Sequence, residues 1–164
     1  MRDSEVLWTA PGHVTARWHN VFIQVRSGAL TFEALDAIET GARLTRAQLK
    51  RAIPYGAMIV ILAGAPAVQG EVAVRQRELL QTLNADERLH VAVALEGEGP
   101  AVVMKRVLAR AAMRSKRRHI CVSVQDAAHL LLGDLGATDG EAALVAFAES
   151  LRLLALETSP PSPG

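Results

Sequence analysis

His119 and Cys121 stand two residues apart, so on a strand both point to one face, where an imidazole and a thiolate could share a soft metal ion. No third and fourth ligand lie nearby, and His13, His19, His90 and His129 are scattered without an i, i+4 pair. Cys121 could instead act as a nucleophile, which requires an adjacent base and an electropositive, accessible setting. Flanked by Ile120 and Val122, it reads as a core residue. No serine elbow, Walker loop or paired-carboxylate motif is found, so no catalytic residue, metal or cofactor is assigned.

Gly97-Glu98-Gly99-Pro100 separates a predicted strand from a predicted helix, where glycines can let backbone amides meet a phosphate. Glu96 and Glu98 would repel that anion, so the segment reads as a tight turn with Pro100 opening the helix. The helix beginning there is densely basic. Lys105, Arg106, Arg110, Arg114, Lys116, Arg117 and Arg118 are seven of the chain's 18 basic residues, with no acid among them. Arg106, Arg110, Arg114 and Arg117 fall along one stripe, with Val103, Val107, Leu108 and Ala111 opposite. Solvation, or pairing with the six acids after His119, would account for the stripe. Its functional reading, with Lys105, is a docking surface for an acidic protein partner, ahead of nucleic acid or an anionic membrane surface.

The element that must position these residues is Ala57-Met58-Ile59-Val60-Ile61-Leu62, bounded by Gly56 and by Gly64-Ala65-Pro66. Six consecutive apolar residues between turn formers fit a strand buried on both faces in a mostly parallel sheet. Around it the order β-β-α-β-α-β-α-β-α is predicted, which gives a mixed, mostly parallel sheet of four to five strands with covering helices. Residues 1–10 read as a loose arm with at most one short strand at Val6-Leu7-Trp8. His13–Arg17 and Val21–Arg26 form a hairpin, and alternation in the second strand implies one face more buried than the other. Thr31 caps a helix through Ala42, and Thr45-Arg46-Ala47-Gln48 matches a second start.

The totals narrow the class. At 164 residues and net charge +1, the chain is one domain without a general nucleic-acid coat. Half its residues are hydrophobic but only 4% are aromatic, so Ala, Val, Leu and Ile must build the core. A single Cys and the absence of an apolar leader point to a soluble, cytoplasmic protein. After Gly133 and Gly136 comes an amphipathic helix, residues 137–157, whose Leu144, Phe147, Leu151 and Leu154 step by 3, 4 and 3. That seam closes its own core or pairs a homodimer, and the glycines favour the dimer. Residues 158–164, rich in Pro and Ser, read as a disordered tail.

Gly28-Ala29-Leu30-Thr31-Phe32-Glu33-Ala34-Leu35 after the second strand, and Val122-Ser123-Val124-Gln125-Asp126-Ala127-Ala128-His129-Leu130-Leu131 near the end, carry a resemblance. With the element order, residues 11–136 resemble the STAS domain of bacterial anti-sigma-factor antagonists and the STAS-like family related to CRAL-TRIO lipid-binding proteins. The antagonists open the helix after the central strand with a phosphorylatable serine. Here that stretch is Ala63-Gly64-Ala65-Pro66-Ala67-Val68-Gln69-Gly70, with no hydroxyl, so phosphoserine switching is not expected there. The resemblance implies a non-catalytic regulatory module that docks a protein partner. Its alternative is a small-molecule or lipid binder with a pocket near Gly64, Ala65 and Pro66, and a third reading is a small enzyme using Cys121 or a histidine.

Overall fold

The apolar run at 57–62 needs neighbours on both edges and cover on both faces, and it has them. A computed structural model describes residues 3–113 and 115–159. The run lies in β4 (Tyr55–Ile61), flanked in one six-stranded sheet by β3 (Val21–Arg26) and β5 (Leu89–Leu95). The sheet runs β1-β2-β3-β4-β5-β6 in chain order, with β1 (Ser4–Ala10), β2 (His13–Trp18) and β6 (Arg118–Cys121). β1, β2 and β3 pair antiparallel, while β3 through β6 pair parallel. The α/β class and mixed sheet are as predicted, but the strands number six rather than four to five.

The extra strand is the expected arm. Residues 4–10 pair with β2 along their length, with an irregularity between Val6 and Trp8. Charges at the start of the chain mask this in the sequence: Glu5 faces Arg17 across the pair and forms a 2.7 Å ion pair with it.

Parallel strands that advance one place at a time through right-handed crossovers send every connecting helix to the same face. Accordingly α1 (Phe32–Ala47), α2 (Gly70–Asn84) and α3 (Pro100–Ala112) share the face bearing Phe22, Ala57, Val91 and Ile120. The other face, with Val14, Ile23, Met58, Val60 and Ala92, is closed by α4 (Val124–Leu135) and α5 (Glu141–Glu157). Thr31 caps α1 as predicted, accepting from Ala34 N–H at 3.1 Å. The restart at Thr45 does not occur: the helix continues, and the buried Thr45 hydroxyl donates back to the Gly41 carbonyl at 2.9 Å. Gly41 is where α1 touches the sheet, since a Cβ there would sit 2.3 Å from the Phe22 ring.

Gly136 ends α4 in the left-handed conformation (φ 68°) that glycine tolerates best, but this turn does not detach α5 from the sheet. α5 folds back so that Leu144, Ala148, Leu151 and Ala155 are buried against the sheet. Phe147 and Leu154 are partly buried at the rim of the same cluster. The proposed dimer seam is therefore core, because the β2–β3 half of that face has no other cover. Past the helix, Thr158 Oγ1 accepts from Gly12 N–H and Ser159 hydrogen-bonds Ser27, so the first two residues of the expected tail are fastened; 160–164 lie outside the described residues.

Candidate functional site

Strand alternation places His13, Thr15 and Arg17 of β2 on the same face as Phe22, Gln24 and Arg26 of β3. They sit directly opposite one another: His13 by Arg26, Thr15 by Gln24, Arg17 by Phe22. This is the α1–α2–α3 face, so five polar side chains that would face water in a half-exposed hairpin are buried instead. Burying polar groups costs about 1–3 kcal/mol for each left unpaired. Three are left so: His13 Nδ1, Thr15 Oγ1 and Gln24 Nε2 have no hydrogen-bond partner among the described residues.

The two arginines in this row differ. Arg17 is neutralised by Glu5 and also bonds the Gln48 side chain. Arg26, only 6% exposed, donates from Nη1 to the carbonyls of Gly28 (3.0 Å) and Pro66 (3.1 Å), but it meets no carboxylate among the described residues. Burial pulls its pKa below the ordinary value. Beside it, His13 is 2.8 Å from the Ala29 carbonyl through Nε2. A carbonyl can only accept, so Nε2 carries the hydrogen and Nδ1 is a bare acceptor. Burial lowers the His13 pKa, the Ala29 bond opposes this, and the Arg26 charge adds to the lowering, which keeps the ring neutral at pH 7.

Gln24 and Arg26 open onto a cavity of about 80 Å³ between the sheet and the helices. Ile59 and Ile61 of β4, Val91 of β5, Leu35 and Ile38 of α1, and Leu79 and Leu83 of α2 line it. Arg118 closes the end nearest β6, and its Nη1 too is buried without a partner among the described residues. Gly64, Ala65 and Pro66 do not line the cavity; Pro66 borders it by holding the Arg26 guanidinium through its carbonyl.

The basic stripe is dispersed. Arg106 reaches inward to the carbonyls of Leu95 (2.8 Å) and Gly97 (2.9 Å), Arg110 to Ile120 (3.2 Å), and Arg117 to Asp86 (3.0 Å). Lys105 is exposed, and Arg114 lies outside the described residues. With the guanidinium groups turned toward the sheet edge, α3 buries none of its residues, and Val103, Met104, Val107 and Leu108 are each at least half exposed.

Cys121 and His119 share a face without sharing chemistry. The Cys121 thiol is buried, and desolvation, with Asp126 adding and Arg110 opposing, pushes its pKa up to about 11. His119 turns instead to Asp134 of α4 (Nε2 to Oδ2, 2.7 Å), and His90 meets the same oxygen at 3.3 Å. This bond set pins α4 to β5 and β6. At the Gly97 turn, Pro100 opens α3 as predicted and Glu96 ion-pairs with Arg152 of α5. No helix among the described residues is long and apolar enough to cross a membrane.

Fold and site together define an α/β domain with a partly open, largely apolar cavity, at which Gln24 Nε2 and Arg118 Nη1 have no partner among the described residues. No protein-family model, curated protein or solved structure matches this chain.

The polar row was only half legible in the sequence. Phe22-Ile23-Gln24-Val25-Arg26 shows two unlike faces, but period-two alternation does not say that the polar one is roofed by a helix.

Proposed function

We propose that the chain is a non-catalytic, STAS-like regulatory domain whose primary act is to bind a small molecule between the sheet and α1–α2. The carrying observation is Gln24, 2% exposed with Nε2 unpartnered among the described residues, on the wall of a largely aliphatic cavity. Polar groups retained at such a cost, with room beside them, are supported best by a ligand that completes their bonds. A cytoplasmic setting belongs to this reading and rests on the lone free thiol.

The test uses methyl-labelled protein and a panel of small neutral and charged organic probes. Binding should shift the methyl resonances of Ile59, Ile61 and Leu79. Ala57→Leu, which grows into the cavity, should abolish those shifts. Shifts confined to other methyls, or unaffected by Ala57→Leu, would defeat the reading.

The exposed α3 ridge supports a second reading, docking of a protein partner with an acidic surface. Its contact is then Val103, Met104, Val107 and Leu108 with Lys105 at the rim, rather than the arginine stripe. Val107→Gln with Leu108→Gln should change stability by less than about 0.5 kcal/mol, as surface changes do. It should also remove cross-links from a photoreactive residue at Met104 to an acidic protein. Cross-links that persist in the double variant would remove this reading.

A further inference from the structure

The cavity wall selects its ligand by charge, and this step rests on reading the cavity as a ligand site. Its lining contains two arginines, Arg26 and Arg118, and three side-chain amides, Gln24, Gln76 and Asn84, but no Asp or Glu. The groups that lack partners there, Gln24 Nε2 and Arg118 Nη1, are donors, and the Arg26 guanidinium is a buried charge with no counter-ion among the described residues. A neutral apolar ligand would leave those donors and that charge as they are, and a cation would be repelled.

Gln24 and Arg26 stand two residues apart on one strand and point to the same face, roughly 7 Å between their Cα atoms. Long side chains from that spacing can each meet one oxygen of a planar, two-oxygen anion, and arginine is suited to carboxylates by shape as well as charge. Beyond them the wall is aliphatic, with Ile59, Ile61 and Leu79. Size sets the rest. An apolar cavity of about 150 Å³ admits benzene, so one of about 80 Å³ admits a body of about half that bulk.

We propose that the cavity binds a short-chain aliphatic carboxylic acid, of roughly two to three carbons by that comparison, as its carboxylate. The head sits between Gln24 Nε2 and the Arg26 guanidinium, and the alkyl body lies against Ile59, Ile61 and Leu79.

Acetate and acetamide have the same shape and differ in charge, which makes them the probes. Titrated into the full chain by calorimetry, acetate should bind about tenfold or more tightly than the amide, the worth of a charged hydrogen bond. Arg26→Met and Gln24→Leu should each erase most of that preference. Gln24→Leu should fold, because an apolar replacement of similar volume relieves an uncompensated polar burial, and Arg26→Met, which frees the Gly28 and Pro66 carbonyls, is titrated only once its thermal transition is shown to be cooperative. Equal binding of the two probes overturns the carboxylate while leaving the cavity as a ligand site by its methyl shifts. Binding of neither probe overturns it as well, and absence of methyl shifts from every probe takes the underlying reading with it. Loss of preference in Arg118→Met but not in Arg26→Met places the head at the wrong end and overturns the assignment.

Discussion

Replacing Leu144 and Leu151 together with alanine is expected to unfold most of this protein without ever having changed its mass in solution. Leu144 is fully buried and Leu151 is 2% exposed, both in the cluster that closes the sheet opposite α1. Truncating one such leucine costs about 2–5 kcal/mol, the lost transfer energy plus the cavity left behind. Two on one helix approach the whole stability of a typical domain, about 5–15 kcal/mol. Each single variant should therefore show a clearly lowered thermal midpoint, and light scattering should report the same species before and after. Leu153→Gln and Leu156→Gln on the exposed side of the same helix should stay within about 0.5 kcal/mol. A well-folded Leu144→Ala, Leu151→Ala protein whose mass halves relative to the parent would restore the dimer seam.

The same helix shows where sequence reading reaches its limit. Leu144, Phe147, Leu151 and Leu154 mark one apolar stripe correctly, but a stripe states only that something covers it. The deciding fact is that β2 and β3 present Val14, Ala16, Ile23 and Val25 to that side, with no crossover helix to cover them. α3 shows the converse. Its two faces were plain from the residues, but exposure of the basic one does not leave its guanidinium groups free, because arginine is long. Arg106 and Arg110 reach back to carbonyls at the edge of β5 and β6, leaving Val107 and Leu108 outside. β4 was legible because a doubly buried strand is apolar at every position. The buried row on β2 and β3 was not, because polar residues on an alternating strand normally mean water, and only the tertiary position of α1 puts a roof over them.

Alkaline pH is expected to destabilise the domain steeply, through two buried acids that must lose protons to become charged. Burial, the bond to Asp86 Oδ2 (2.8 Å) and that carboxylate's charge, opposed by Arg46 and Arg88, together raise Tyr55 to about 12 from an ordinary 10.0. Burial likewise holds Cys121 at about 11 instead of 9.0. In both, the folded pKa lies above the unfolded one, so the contribution is complete below the unfolded value and disappears as pH climbs through the folded one. Cys121 should thus cost stability between about pH 9 and 11 and Tyr55 between about pH 10 and 12, each by about 2–3 kcal/mol at 1.36 kcal/mol per pH unit. Asp86 acts at the other end of the scale. Burial opposes its ionisation, but the Arg88 amide, the Tyr55 hydroxyl and the charges of Arg46 and Arg88 prevail and lower its pKa. Its contribution is present above about pH 4 and lost below. Urea unfolding from pH 7 to 12 should show the alkaline loss in the parent, with Tyr55→Phe and Cys121→Ala each removing one step, and Tyr55→Phe starting about 1 kcal/mol lower at pH 7 for its lost bond to Asp86. A Tyr55→Phe, Cys121→Ala protein that keeps the full alkaline slope, or a native thiol that reacts readily with an aromatic disulfide at pH 8, would show these groups accessible and the account wrong.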